Sequence, residues 1–309
     1  MKIEQNKDLS KYTTFRLGFR GRYFCEVVST EELKECLEFC KKENLKYFIL
    51  GGGSNVIADD EEYDGIVIRI KNEELRIKNN IVECGAGVSL AKIVNESLKN
   101  NLLGLEWAWG IPGTVGGAVR GNAGAYNFDI SESVNELTVF RRGKLVKIKN
   151  KDCKFKYRES IFKNNKDIIW SVKLKLKKGS KKELEEAQNF VFKIKKERSK
   201  KFLGGGNAGS FFKNIYFTKK GISEFQKRFS YLPENFLKTK IIPAAWLIDQ
   251  CDLKGFCIGD ICVSERHAGI ILNKGRGNSE ELIQLVSLIK TKVRDKFGIE
   301  LKEEIQYIN

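Results

Sequence analysis

Tyr47-Phe48-Ile49-Leu50-Gly51-Gly52-Gly53-Ser54-Asn55 sets the reading of this chain, because an apolar run breaks off abruptly into a glycine triplet and two small polar residues. The run has the length and composition of a buried strand, and a strand feeding a glycine loop marks a place where backbone can approach a ligand. A loop without side chains can close on a pyrophosphate and offer its amides to the oxygens. Neither common nucleotide motif fits, since the stretch lacks the G-x-G-x-x-G spacing of a Rossmann turn and the lysine of a Walker loop. Taken alone, the same residues also read as a simple strand-ending turn.

The flanking sequence supplies the surrounding elements. Ser29 with Glu32 three residues on, then Leu33, Cys36, Leu37 and Cys40 at helical spacing, predicts a capped amphipathic helix. Residues 65–70 and 81–84 read as strands, and Ser89 caps a helix carrying Leu90, Ile93, Val94 and Leu98. The first hundred residues therefore alternate strand and helix. Strands at 137–140 and 145–148 flank the hairpin connection Arg141-Arg142-Gly143-Lys144, and Ile168, Trp170, Val172, Leu174 and Leu176 alternate as a half-buried strand. A helix over 182–200 puts Leu184, Ala187, Val191 and Ile194 on one stripe and its lysines on a solvated face. Charge and the triplet Gly204-Gly205-Gly206 place a domain boundary within 200–206. Beyond it Pro243 opens a helix through Trp246, Leu247 and Ile248. Asn278 with Glu281 caps another that runs to Phe297 and is stopped by Gly298, and 300–308 reads as a final strand.

At 309 residues the chain has room for about two domains of ~150 residues each. Its formal charge of +16 draws anions of any kind, nucleic acid and phosphorylated ligands alike. The longest apolar stretches fall far short of the ~20 residues that span a bilayer. The start, MKIEQNKDLSKYTTF, has no apolar segment behind its basic residues, so the expected location is the cytoplasm, without membrane insertion. The cysteines Cys25, Cys36, Cys40, Cys84, Cys153, Cys251, Cys257 and Cys262 show no C-x-x-C pair, and His267 is the sole histidine. No metal site is expected, and the cysteines are expected to stay buried thiols.

A second glycine-rich block, Gly110-Ile111-Pro112-Gly113-Thr114-Val115-Gly116-Gly117-Ala118, is followed at once by Gly121-Asn122-Ala123-Gly124-Ala125. So many small residues imply close backbone packing around something flat. The two blocks can converge on one extended dinucleotide from opposite sides.

These blocks, with Thr13-Thr14-Phe15-Arg16-Leu17-Gly18 before them, resemble the FAD-binding half of the UDP-N-acetylenolpyruvoylglucosamine reductase family. Tyr157-Arg158-Glu159-Ser160-Ile161-Phe162-Lys163, Ala208-Gly209-Ser210-Phe211-Phe212-Lys213-Asn214, Ala244-Ala245-Trp246-Leu247-Ile248-Asp249-Gln250, His267-Ala268-Gly269 and Leu301-x-x-Glu304-Ile305 follow in the family's order. The resemblance covers nearly the whole chain. It implies an α+β protein with a p-cresol methylhydroxylase-type FAD-binding fold. Two α+β subdomains, at 1–72 and 73–203, would clamp the flavin. An α+β substrate domain at 204–309 would return its terminal strand to the active site. The short interval between Tyr157 and Ser210 resembles the subclass without an extra substrate-covering loop. The implied activity is reduction of the enolpyruvyl ether of UDP-N-acetylglucosamine to UDP-N-acetylmuramate, with NADPH and noncovalent FAD, in peptidoglycan synthesis.

The resemblance places FAD on Gly51, Gly52, Gly53, Ser54, Asn55, Pro112, Gly113, Thr114, Gly116, Gly117, Asn122, Ala123 and Gly124. The reaction itself asks for groups that meet negative charge and return a proton. Arg158 can pair with a carboxylate or enolate in a planar, permanently charged contact. Ser210, between a flexible glycine and two aromatics, can present its hydroxyl in an apolar pocket, and by resemblance it is the proton donor. Glu304 stands at the family's acidic catalytic position on the terminal strand, with Glu303 on the opposite face. Tyr157, Lys213, Asn214 and the neutral ring of His267 are the implied substrate contacts. Two positions depart from the family: Asn127 stands where glycine is usual, with the flavin-side turn at stake, and Ile215 where proline is usual, with the loop holding Ser210 at stake.

Two other readings compete. Another FAD oxidoreductase of the same fold, acting on a sugar or hydroxy acid, would use the same glycine blocks but not the C-terminal motifs. A nucleic-acid-binding protein would use the lysines of 173–201, although the apolar residues among them follow strand and helix periods rather than a stacking pattern.

Overall fold

The computed structural model describes residues 1–58, 62–201, 204–229 and 231–308, with backbone alone at 198–201. Two compact units emerge, one of 1–12, 19–54 and 61–203, the other of 13–18, 55–60 and 204–309. Residues 13–18 and 55–60, inside 1–72 by sequence, therefore group with 204–309. The second unit's long segment begins at Gly204, inside the expected 200–206 interval, and residues 202–203 lie outside the described residues.

The first unit is built on two sheets. Ile3–Asp8, Arg20–Val27, Glu62–Ile70 and Lys46–Leu50 lie in that order in a four-stranded mixed sheet, with parallel pairing across the last three. Helix α1 (Thr30–Lys42) connects two of them. It starts where the Ser29 hydroxyl accepts from Glu32 N–H at 3.2 Å, while the Glu32 carboxylate reaches back to Val28 N–H at 2.8 Å. Leu33, Cys36 and Cys40 form its buried stripe. Of the run at 47–50, only Leu50 is fully buried; Tyr47, Phe48 and Ile49 are half-buried because the strand lies at the sheet edge.

The second sheet is antiparallel, ordered Lys144–Lys149, Val134–Arg141, Ile168–Lys175, Ile81–Gly85, Leu75–Lys78. The hairpin turns at Arg142 (φ 48°) and Gly143 (φ 81°), the pair of positive φ values that matches strand twist. In the strand at 168–175 Ile168, Trp170, Val172 and Leu174 are buried and Ser171, Lys173 and Lys175 are not, as the alternation predicts, and the strand's central place buries Ile169 as well. Helix α2 (Leu90–Lys99) starts at Ser89 as expected, and α3 (Val115–Gly121) is capped by Thr114. Helix α4 (Lys181–Lys201) buries Ala187 and Ile194 on the expected stripe.

The second unit packs α5 (Lys219–Arg228), α6 (Glu234–Thr239), α7 (Ala244–Asp249) and α8 (Ser279–Phe297) with short strands. Asn278 accepts from Glu281 N–H at 2.9 Å to cap α8, and Gly298 (φ 70°) ends it. Leu282, Leu285, Val286, Ile289, Val293 and Phe297 carry α8 into a core shared with Phe15, Leu17, Phe211 and Phe212. The terminal strand is shorter than 300–308: only Gln306–Ile308 pairs, parallel to Val56–Ala58, while Glu303 makes an isolated bridge to Phe212. No helix among the described residues is long and apolar enough to cross a membrane.

The cysteines are not all thiols. Cys257 and Cys262 face each other across the antiparallel pair Cys257–Ile258 and Ile261–Val263, 4.1 Å apart at Cα, and are joined in a disulfide. The tight turn at Gly259 (φ 53°) creates this pairing, and a spacing count cannot see a turn. Burial pushes the Cys84 thiol up to about 12 and Cys153 up to about 11, with Glu83 and Asp152 adding to the effect, so these two are poor nucleophiles. Thiol titration in denaturant should count six free thiols before reduction and eight after. Eight before reduction would show Cys257 and Cys262 unlinked.

Candidate active site

In the first unit the two glycine blocks meet. A Cβ on Gly52 would lie 2.6 Å from Gly113 Cα, and one on Gly51 2.7 Å from Thr114 Oγ1. The Ser54 hydroxyl donates to the Pro112 carbonyl at 2.8 Å, so the loops are joined as well as packed. Thr114 then caps α3 by accepting from Gly117 N–H at 3.3 Å. Val115 N–H donates to the Val88 carbonyl at 2.8 Å, and Gly116 N–H to the Ala86 carbonyl at 2.9 Å. These two amides are committed to the protein. By contrast, the amides of Gly52, Gly53 and Ser54 donate to no protein acceptor among the described residues, and Gly53 sits at φ 63°, the left-handed step that curls amides toward an anion.

Two glycines separate packing from ligand approach. A Cβ on Gly116 would meet Ala86 Cβ at 2.7 Å, so its absence is required by the protein's own packing. Gly117 is different: it is exposed, and an added Cβ would touch only Thr114 Oγ1 at 3.5 Å. The protein itself has no need of a bare Cα there, which fits a flat cofactor laid close against this face. Gly117→Ala should therefore leave thermal stability equal or higher, by up to ~1 kcal/mol for a helix glycine, while lowering FAD content at purification. Gly52→Ala should lose both, since its Cβ meets backbone. Unchanged flavin content in Gly117→Ala would remove that residue from the cradle.

The end of α3 holds the next group. Asn122 (φ 44°) terminates the helix, donates to the Lys156 carbonyl at 2.9 Å and accepts from Ser131 N–H at 3.3 Å. Its side chain is thus occupied by the protein. Ala123 N–H donates to the Ala118 carbonyl and Gly124 pairs with Asp129, closing a hairpin whose tip is Tyr126 (φ 55°) and Asn127 (φ 67°). Asparagine tolerates the left-handed region, so the departure at Asn127 keeps the turn intact. The carbonyls of this hairpin are where Arg158 is anchored: Nη2 donates to Gly124 at 2.7 Å and Nη1 to Asn122 at 3.4 Å, with the guanidinium 5.1 Å from the Tyr157 ring centre. Lys163 Nζ donates to the Arg158 carbonyl at 2.7 Å, and Ser160 donates to the Arg120 carbonyl at 2.6 Å. Arg120 went unread in the sequence because it lies between the glycine motifs; burial pushes its guanidinium down, with Glu159 opposing.

In the second unit Ser210 faces Ile270 in an antiparallel bridge, and Phe211 N–H donates to the Gly269 carbonyl at 2.8 Å. Gly209 (φ 76°) makes the turn into it. Phe211 and Phe212 are buried in this unit's core and Ser210 is exposed, so the two rings do not form an apolar pocket around the hydroxyl. Glu304 N–H donates to the Phe211 carbonyl at 2.8 Å, which brings the tail against the same segment, although Glu304 itself lies outside the regular strand. His267 Nδ1 accepts from Gly269 N–H at 3.2 Å, which puts the proton of a neutral ring on Nε2. Lys213 N–H donates to the Lys302 carbonyl, and Asn214 Oδ1 accepts from Ala244 N–H at the start of α7 at 3.3 Å. Ile215 pairs with Ile242, so the second departure leaves this loop held rather than loosened. Asn55 belongs here and not with Gly51–Ser54: its amide donates to the Glu304 carbonyl at 3.1 Å.

Residues 22–149 match a family model described as FAD binding domain, and residues 199–308 match one described as UDP-N-acetylenolpyruvoylglucosamine reductase, C-terminal domain. A UDP-N-acetylenolpyruvoylglucosamine reductase from Solibacter usitatus is 35% identical over 308 residues, covering 99% of this chain and 96% of that protein. One from Clostridium novyi is 33% identical, covering 99% and 92%. The crystal structure of the Thermus caldophilus enzyme of that name matches with a TM-score of 0.78 at 28% identity over 99% of both chains. The chain belongs to the UDP-N-acetylenolpyruvoylglucosamine reductase family.

Proposed function

We propose that this protein is an FAD-dependent oxidoreductase that converts UDP-N-acetylglucosamine enolpyruvate to UDP-N-acetylmuramate in peptidoglycan precursor synthesis, with NADPH as hydride donor, in the cytoplasm. The observation that carries this reading is full-length similarity to reductases of that name, joined to the convergence of Gly51–Ser54 with Pro112–Gly117. The unit of 1–12, 19–54 and 61–203 serves to bind the flavin, and the unit of 13–18, 55–60 and 204–309 to bind the substrate. Bound FAD, once reduced by NADPH, would supply the hydride chemistry needed at the outer alkene carbon of the enolpyruvyl group. The amides of Gly52, Gly53 and Ser54 would hold the pyrophosphate, and Gly117 would leave room for the cofactor against α3.

The protein's own groups handle the charge and the proton. Hydride arrival builds enolate character beside the substrate carboxylate. Arg158 stabilises that charge, with two of its donors already fixed on carbonyls so that the guanidinium plane does not rotate. Ser210 gives its proton to carbon, and Glu304 shares the hydrogen bonds of the enol. Tyr157, Lys213, Asn214 and the Nε2–H of His267 hold the nucleotide sugar. Lys173 and Lys177 are engaged with the carboxylates of Glu83 and Glu183, which favours a structural role for these two over nucleic-acid contact.

Absorbance in the flavin band tests the reading. NADPH should bleach it and the enolpyruvyl sugar should restore it, whereas restoration only by oxygen would point to an oxidase. Acid precipitation should release all the flavin, because no cysteine or histidine falls in either glycine block. Yellow colour retained in the pellet would mean a covalent link.

A further inference from the structure

The tail carrying Glu304 is held by backbone to 211–213 at 302–304, and beyond that by Asn55 and by Gln306–Ile308 beside Val56–Ala58. Lys213 N–H donates to the Lys302 carbonyl and Glu304 N–H to the Phe211 carbonyl, both at 2.8 Å, with Phe212 facing Glu303 between them. This is the pattern of an antiparallel pair, so 302–304 is locally extended. On the other edge of 210–213, Ser210 faces Ile270 and Phe211 N–H meets the Gly269 carbonyl. Ser210, His267 and Glu304 therefore depend on one short ladder with 210–213 at its centre.

So short a ladder sets its own register weakly, and a slip of one residue would exchange the faces of Glu303 and Glu304. Two adjacent glutamates offer nothing in backbone preference to tell them apart. A side-chain tether supplies the difference. Glu303 forms an ion pair with Lys290, which is carried on α8 between the buried Ile289 and Val293. The Glu303 side chain is 18% exposed and that of Lys290 36%, so the pair is partly withdrawn from solvent screening. On the same carboxylate, Tyr307 is pushed up by burial and by its hydrogen bond to Glu303, so the phenol remains a donor. Neighbouring side chains of an extended segment leave on opposite faces, so holding Glu303 against α8 fixes the face from which Glu304 leaves.

We propose that the Lys290–Glu303 ion pair is a positioning element for the reaction, registering the tail so that Glu304 and Ser210 are presented together. This rests on the reading of Glu304 and Ser210 as the groups that act on the enolpyruvyl substrate.

The test uses the FAD-loaded full-length enzyme. After anaerobic reduction with dithionite, single-turnover reoxidation by UDP-N-acetylglucosamine enolpyruvate is followed for Glu303→Gln, Lys290→Met, the reversed pair Lys290→Glu with Glu303→Lys, and Glu304→Gln. Amide hydrogen exchange over 210–213 and 301–305 is measured on the same proteins. Each single variant at 290 or 303 should reoxidise about tenfold more slowly, with flavin reduction by NADPH unchanged and faster exchange at 302–304. The reversed pair should recover most of both losses. Normal reoxidation and exchange in Glu303→Gln and Lys290→Met, beside a slow Glu304→Gln, overturns the positioning role and leaves the reading of Glu304 standing. Equal slowing of both half-reactions, or a reversed pair that recovers nothing, also overturns it, since a general loss of stability would then account for the effect. A normal Glu304→Gln overturns the underlying reading itself.

Discussion

Arg158→Lys should lose turnover on the order of a hundredfold while keeping its positive charge, because removing a fixed planar contact worth ~3 kcal/mol at the transition state has that effect. The guanidinium is already divided between two carbonyls, Gly124 at 2.7 Å and Asn122 at 3.4 Å, and rests against the Tyr157 ring. A single ammonium cannot hold both carbonyls and meet a developing carboxylate or enolate as well. Lysine is also a more strongly hydrated point charge, so in this half-buried position it keeps one of the two carbonyl contacts rather than both. The loss should fall on kcat more than on KM, and flavin content should stay near normal. Turnover within a fewfold of the parent would make Arg158 a structural brace of the hairpin and no more.

Local signals in the sequence were legible wherever a few neighbouring residues settle the outcome. Ser29 with Glu32, Ser89, and Asn278 with Glu281 all cap helices, and Gly298 ends α8, because capping is decided within one turn. The glycine blocks were legible as a pair, and the structure joins them through contacts separated by some sixty positions in sequence. What was not legible depends on such distant partners. Whether 47–50 is buried or an edge depends on which strand lies beside it. The extent of the last strand depends on Val56–Ala58, and alternation alone carries 300–308 too far. The split between Ser54 and Asn55 is invisible in a continuous motif, since it is revealed by distant bonds, from the Asn55 amide to the Glu304 carbonyl and from Gln306 N–H to the Asn55 carbonyl. The Cys257–Cys262 disulfide needed the turn at Gly259, and the exposure of Ser210 needed to be known separately from the burial of Phe211 and Phe212.

Asn127 shows how a motif can change letter and keep its physics. Its φ of 67° is a conformation that glycine adopts freely and asparagine adopts at small strain. Tyr126 beside it packs edge-on against Phe190 of α4, with ring centres 5.4 Å apart, and so supports the turn from outside. The letter changes, and the conformation it holds is one open to glycine and asparagine alike.

Ser210→Ala should bleach with NADPH at nearly the normal rate and then reoxidise with the enolpyruvyl sugar several orders of magnitude more slowly. The reaction divides into flavin reduction and flavin oxidation, and only the second needs a proton on carbon. The serine takes no part in the first, and its removal leaves hydride addition to generate a charged intermediate with no positioned donor. A hydroxyl is a weak acid, so its effectiveness depends on being held, and the structure holds it by backbone: the bridge to Ile270, the Phe211 bond to Gly269 at 2.8 Å, and the turn at Gly209. None of these uses the side chain. Alanine should therefore preserve the segment, the flavin content and the thermal stability, which isolates the hydroxyl as the only thing lost. Ser210→Cys should lie between the two, since a thiol can donate but is larger and places its proton differently. Single-turnover kinetics on each half decide the matter. Equal losses in both halves would mean that Ser210 only maintains the segment, and a normal second half would assign the proton to another group.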